Sequence, residues 1–497
     1  MTDPRAPQTS AAPVFRPGFC AERSRPYILV AAILASALGF IDGTVVAIAL
    51  PAMRDSLGAG LVEAQWIHNA YMLTLSALIL VGGAMGDRFG LGRVFGLGIV
   101  LFVVASLFCA LEPTPLFMII ARAVQGVGAA IMVPGSLALI ARAYPKETRG
   151  RAIGIWAAAS ALTTAAGPIV GGLALTVGGP EMWRWIFAIN LPLGGVALYL
   201  LLRHLGEDPA EAGARVDVPG AITATLALLG IAWGLTRLDH GAHASLWLSA
   251  GAVMLVVFLV TQWRSDHPMM PLSLFAAVPF AAANALSFTL YSGLSIMFFF
   301  MPMTFIAGWG LSEIEASAAF APMSVFISLL SARAGKLADR IGPAPLLTGG
   351  SLVVAAGYAT MAILAPVQNF WGHIVPAMCL VGLGMAAVVA PLSTAIMGAV
   401  DERQSGTASG INNAVTRMAG LISVAAVGGF VSAQYVGAGG TASFGVESDA
   451  AGHAEAMTRA FAGLAWIAAA LSVISAGLGW RTRSGAARSR CAGRGVF

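Results

Sequence analysis

Charge is what this sequence has least of. Only 10% of its 497 residues are Asp, Glu, Lys or Arg, against roughly 25% in a soluble domain. With 58% of the residues hydrophobic, 28 basic and 23 acidic side chains cannot clothe the surface of a soluble fold of this length. A soluble enzyme, a nucleic-acid binder and a disordered chain are thereby excluded. Cysteine is equally scarce: Cys20, Cys109, Cys379 and Cys491 show no paired spacing, so no disulfide framework is expected. No G-x-x-x-x-G-K-[ST] phosphate cradle occurs, which argues against ATP as the driving force. No nucleophile–base constellation is present, so no catalytic residue is expected. No metal ligand set is expected either: His240-Gly241-Ala242-His243 has ligand-like spacing but reads as a solvated loop beside Asp239. A cleavable leader is not evident, because the first apolar stretch, from Tyr27, is long enough to span and lacks a small-residue cleavage site.

What is abundant is apolar length. A spanning helix takes about 20 apolar residues. Windows of that length fall near 27–50, 66–86, 94–111, 116–142, 152–176, 185–202, 219–236, 246–263, 276–307, 314–334, 345–366, 371–398, 406–434 and 460–480. Fourteen spans put both termini on one side. With the N-terminus inside, 22 of the 28 basic residues fall on inner segments, four on outer ones (Arg54, Arg184, Arg237, Arg459), and Arg122 and Arg417 within helices. This asymmetry predicts cytoplasmic termini. The basic tails thus read as topology, not as nucleic-acid sites.

The chain repeats itself. Gly83-Ala84-Met85-Gly86-Asp87-Arg88-Phe89-Gly90 returns as Gly335-Lys336-Leu337-Ala338-Asp339-Arg340-Ile341-Gly342, and Gly150-x-Ala152-x-Gly154 returns as Gly406-x-Ala408-x-Gly410. The near-equal offsets predict two parallel six-helix halves, an architecture of secondary transporters. The expected division is a cytoplasmic tail over 1–26, a six-helix bundle over 27–204, a two-helix insert over 205–275, a second bundle over 276–480 and a basic tail over 481–497.

The Gly83-x-x-x-Asp87-Arg88-x-Gly90 loop resembles the signature loop of the major facilitator superfamily. Ile41-Asp42-Gly43-Thr44, Arg122-Ala123-Val124-Gln125-Gly126, Gly167-Pro168-Ile169-Val170-Gly171-Gly172 and Trp183-Arg184-Trp185 through Asn190-Leu191-Pro192 extend the likeness to its fourteen-helix drug–proton antiporter branch, the EmrB/QacA type. The sequence departs from that pattern at Ala47, Leu91, Gly92 and Thr163. The resemblance implies an all-α integral membrane fold of two six-helix bundles with two additional helices. It also implies the helix-1 acid and helix-4 arginine at Asp42 and Arg122, and assigns the glycine–proline motif to antiporters rather than uptake carriers.

Among the acids, Asp42 alone sits well inside an apolar run, and an ionisable group there is a functional-site hypothesis by default. Counting along the helices places Asp42 and Arg122 at similar depth, about 12 and 9 Å from the outer edge. A permanent packing pair and a proton-coupling pair both fit. Apolar surroundings favour a protonated carboxyl and a neighbouring guanidinium the carboxylate, so a cavity that opens alternately can switch proton occupancy.

For the conformational latch, Gly83, Asp87, Arg88, Gly90, Asp339 and Arg340 are the candidates: Gly90 and Gly342 as sharp turns, Gly83 and Gly335 as close helix approaches. Asp87 is expected either to pair across the halves or to remain a solvated turn charge. Gly167, Pro168, Gly171 and Gly172 predict a bend in helix 5 with small faces. Gln125, Tyr71, Asn69, Phe299, Met303, Asn412 and Arg417 are the candidate cargo-cavity residues. Trp66, His68, Asn69 and Tyr71 read alternatively as interface anchors, and Phe298 to Met303 as lipid-facing. Arg417 either faces the cavity or caps neighbouring carbonyls.

The functional expectation is proton-driven export of hydrophobic small molecules, cations included, across a bacterial cytoplasmic membrane. A dedicated exporter of one metabolite is the alternative. A membrane enzyme and a passive channel rank behind both. Protons, a small-molecule cargo and the bilayer are the expected partners, with no nucleic acid and no cofactor beyond the proton gradient. Function as a monomer is expected.

Overall fold

The computed structural model describes residues 18–206, 208, 216–238, 241–401 and 404–485. Asp239, His240, most of the N-terminal tail and the end of the C-terminal tail lie outside the described residues. Within them every regular element is helical and no strand occurs. The α-helices are α1 (Arg25–Leu57), α2 (Leu61–Phe89), α3 (Leu91–Leu111), α4 (Pro115–Ala143), α5 (Lys146–Gly178), α6 (Trp183–Ala188), α7 (Asn190–His204) and α8 (Val218–Leu235). They continue with α9 (Ala242–Arg264), α10 (Val278–Met303), α11 (Glu313–Ala318), α12 (Ala321–Ile341), α13 (Pro343–Leu364), α14 (Val375–Met397), α15 (Ser405–Gly437) and α16 (His453–Arg481).

Among the described residues, fourteen stretches are long and apolar enough to cross a membrane, as the sequence windows predict. Helices satisfy their own backbone groups, which hydrocarbon cannot do for them. Two spans are broken: α6 and α7 share one, interrupted at Ile189, and α11 and α12 share another. Pro51, Pro134, Pro168, Pro302 and Pro391 sit inside helices without ending them, a tolerance that packed membrane helices confer. One boundary moves as a result. The expected stop at Leu50 is overrun, and α1 continues to Leu57 and a left-handed Gly58 (φ 61°).

Helices α1 to α7 pack on one another, with α1 against α4, α5 and α7 and α4 against α2 and α3. Helices α10 to α16 form a second group, with α10 against α15 and α16 and α14 against α12 and α13. The groups meet where α2 faces α15 and where α5 faces α11 and α12, and α1 also touches α10 and α11. Helices α8 and α9 pair with each other, and α8 lies across the α2–α15 seam, touching both helices. There Trp66 Nε1 donates to Thr236 Oγ1 at 3.1 Å, and the Trp66 and Trp233 rings stand 4.9 Å apart.

The start of α1 and the end of α16 mark a terminal face, and the opposite face is the distal one. The distal face is shut. Arg54, 1% exposed, reaches from α1 to the α15–α16 loop, donating to the Phe444 carbonyl at 2.5 Å and Ser443 Oγ at 3.1 Å. Thr176 of α5 donates to Glu313 at 3.0 Å, and one apolar cluster runs from Val45–Leu57 of α1 into α10, α13, α14 and α16. Among the described residues, the hydrogen bonds that join the two groups all lie in this distal half. Toward the terminal face α5 and α12 are largely exposed. Gly39 to Ile41, Gly43 and Thr44, midway along the central α1, stay half-buried, and the space beside Gly43 is open. The two groups are thus tied together on the distal side and more exposed toward the termini.

Candidate functional site

Asp42 lies at the middle of α1, 2% exposed, and Arg122 on α4 is 1% exposed. Arg122 Nη1 stands 2.5 Å from Asp42 Oδ2, so the depth match read from the sequence is a direct ion pair. Gln125, one turn along α4, closes a triangle: it accepts from Arg122 Nη1 at 2.6 Å and donates to Asp42 Oδ1 at 3.0 Å. Its Nε2 also donates to Ser106 Oγ on α3 at 2.9 Å, and Asn190 at the start of α7 donates to the same oxygen at 3.2 Å. Arg122 Nε donates to the Ile67 carbonyl of α2 at 3.1 Å. The guanidinium lies 4.4 Å above the Tyr71 ring and 5.8 Å from the Phe187 ring. Five helices and the α6 ring of Phe187 therefore enclose one carboxylate and one guanidinium that are paired and hydrogen-bonded, as buried charges require.

The structure corrects several cavity assignments. Gln125 is fully buried in this network and does not line a cargo surface. Tyr71 is 1% exposed and spends its ring face on Arg122. Met303 is 0% exposed and packs near Gly445 beneath the distal seal. Asn412 donates to Asn284 at 3.2 Å and Ser287 at 2.6 Å, tying α15 to α10. Phe299 is buried against the His68 ring, 5.4 Å away, and Phe300 and Met301 are buried with it, so the lipid-facing reading fails for them. Trp66, Asn69 and Tyr71 are buried between helices, not displayed at an interface. Arg417 makes no carbonyl cap among the described residues, and its Nε is buried without a partner.

The latch residues separate into unlike copies. Asp87 pairs with Arg142 of α4 at 2.8 Å, within its own half. The N-terminus of α3 is capped by Asp208, which accepts from the amides of Leu91, Gly92 and Arg93 at 3.1, 2.8 and 3.3 Å. Gly90 (φ 96°) and Gly342 (φ 84°) take the positive angles expected of them. Gly83 faces open space, and the close approach falls to Gly82, pressed on the backbone of Ala130 and Ile131. Gly335 meets Ala390 only at ordinary contact. Arg88 lies over the Phe89 ring at 5.2 Å. Asp339 and Arg340 are exposed and unpaired among the described residues.

In α5, Gly167 and Gly171 press on Thr44 and Val45 of α1. Gly172 turns to the other half, where an added Cβ would lie 2.7 Å from the Glu313 carbonyl. Pro168 lies within the continuous helix.

Comparison with known proteins agrees with this architecture. The family model of the Major Facilitator Superfamily matches residues 32–424 and again 284–494. The chain belongs to the major facilitator superfamily of transporters, and it is a multi-pass membrane protein. The tetracenomycin C resistance and export protein of Streptomyces glaucescens is 30% identical over 82% of this chain and 76% of its own. The puromycin resistance protein of Streptomyces alboniger is 32% identical over 85% of both. A solved bacterial homologue of the human lysosomal transporter Spinster, inward-facing and unoccupied, superposes with a TM-score of 0.67 at 17% identity over 93% of this chain and 98% of that one; that likeness concerns fold alone.

Proposed function

We propose that this protein is a proton-driven exporter of hydrophobic, drug-like molecules. The observation that carries the reading is the Asp42–Arg122–Gln125 triangle, a titratable pair sealed at the centre of one half. Its relatives are named for antibiotic resistance and export, which supports an outward direction. The terminal face is the cytoplasmic one, as the basic-residue asymmetry argues, in the plasma membrane of a bacterium. In this reading the distally closed form, with the ion pair made, is the one that takes cargo from the cytoplasm. Cargo binding and distal opening then expose Asp42 to the acidic outside; protonation loosens Arg122 and returns the carrier. No cofactor enters the cycle, and one chain carries every part of it. The first half holds the drive, the second shapes the cargo site, and α8 and α9 are an insert.

Proteoliposomes given an outward or inward pH step test this. Export must follow the imposed gradient and stop when it is collapsed; flux that persists without a gradient refutes the reading. The naming of relatives for single antibiotics also favours a second reading, a dedicated exporter of one metabolite. Resistance profiles against many unrelated compounds separate the two.

A further inference from the structure

One charge within the spans has no partner among the described residues. Arg417 stands twelve residues into α15, about 18 Å from that helix end, in the membrane interior. It is half-buried, makes no ion pair among the described residues, and its Nε is buried without a hydrogen-bond partner. The described carboxylates of the second half sit at helix ends or in loops: Glu313, Glu315, Asp339, Asp401, Glu447, Asp449 and Glu455. The position matching Asp42 there is Leu294. Asp42 and Arg122 cancel each other, so the interior carries a surplus of one positive charge, and intramembrane charges of this kind face a cavity.

A second unanswered group faces the same seam. Gly410, Ala414, Arg417, Leu421, Val424 and Gly428 share one stripe of α15 at alternating spacings of four and three. The opposing stripe of α2 is Gln65, Asn69, Met72, Ser76 and Leu80, anchored where Gln65 donates to the Val424 carbonyl and Leu80 meets Gly410. On it Asn69 is 0% exposed, and both atoms of its carboxamide lack partners. A buried amide and a guanidinium left unmet are costly unless a ligand meets them. On the same helix α2, the His68 ring meets Phe299 of α10 at 5.4 Å.

We infer that Arg417 is the cargo anchor, with Asn69 as its partner across the seam, and that it selects aromatic compounds bearing an anionic oxygen. A planar guanidinium matches a carboxylate or phenolate, while a permanent cation would meet repulsion. Cations, included in the expected cargo, are thereby disfavoured. The inference rests on the export reading only for the direction of movement.

The test uses the full chain in lipid nanodiscs and a matched pair of fluorescent probes, anthracene-9-carboxylate and its trimethylammonium analogue. Wild type binds the carboxylate about tenfold or more tightly than the cation, the scale of one charge-assisted hydrogen bond. Arg417→Gln loses that preference, and Arg417→Lys keeps part of it. Equal or tighter binding of the cation by wild type overturns the proposal, whatever the folding of the variants. So does carboxylate affinity within about twofold of wild type in a monodisperse Arg417→Gln. A pH-step flux assay separates the two readings. Bound carboxylate that no gradient moves refutes export and leaves the anchor standing; gradient-driven flux of the cation, unchanged in Arg417→Gln, sustains export and refutes the anchor.

Discussion

Arg122 and Asp42 meet at 2.5 Å in a pocket where both side chains are 1% exposed, and Gln125 bonds to both. For the proposed proton drive, a pair so enclosed has to be opened by movement of the helices around it.

Removing one member leaves a buried uncompensated charge. Asp42→Asn is expected to cost about 3–5 kcal/mol of stability, to remain in the membrane, and to lose pH-driven export. Asp42→Asn with Arg122→Gln should recover thermal stability without recovering flux. A double variant that transports would show the pair to be packing alone.

The distal seal depends on Arg54. Arg54→Ala removes its bonds to Ser443 and Phe444 and is expected to shift the resting protein toward a distally open form. Spin labels at the exposed positions Asp55 and Asp449 report this as a longer distance. An unchanged distribution means that the seal is held by apolar packing.

Gly172 sits where the halves touch. Gly172→Leu drives a side chain into the Glu313 backbone, an overpacking penalty of about 1–3 kcal/mol that falls only on the distally closed state. Turnover should fall while the same spin-label pair moves apart. Gly171→Leu, pressed on Val45 within the first half, should instead lower stability.

The two signature loops should respond unequally. Asp87→Asn breaks a part-buried pair with Arg142 and is expected to slow export and lower the melting temperature. Asp339→Asn alters an exposed group and should stay within about 0.5 kcal/mol of wild type. Flux and thermal melts of the two variants decide it.

The span count was legible because apolar length is a property of the chain itself. The Asp42–Arg122 pair was legible because two charges in apolar runs at like depth have few ways to be satisfied. Gln125 was noticed for its one-turn spacing, but its bond to Ser106, and that of Asn190, join α3, α4 and α7. Nothing local marks such a junction beyond polar residues within apolar runs. Met303 and Asn412 misled for a related reason: sequence shows polarity and softness, not which neighbour a helix face meets. Gly82, not Gly83, makes the close approach, since rotation of a helix about its axis is fixed only by packing.

The α8 helix over the α2–α15 seam makes the transporter lopsided toward its bilayer. In the proposed rocking cycle, the α2–α15 seam has to flex beneath α8, while the α5–α12 seam moves without such a cover.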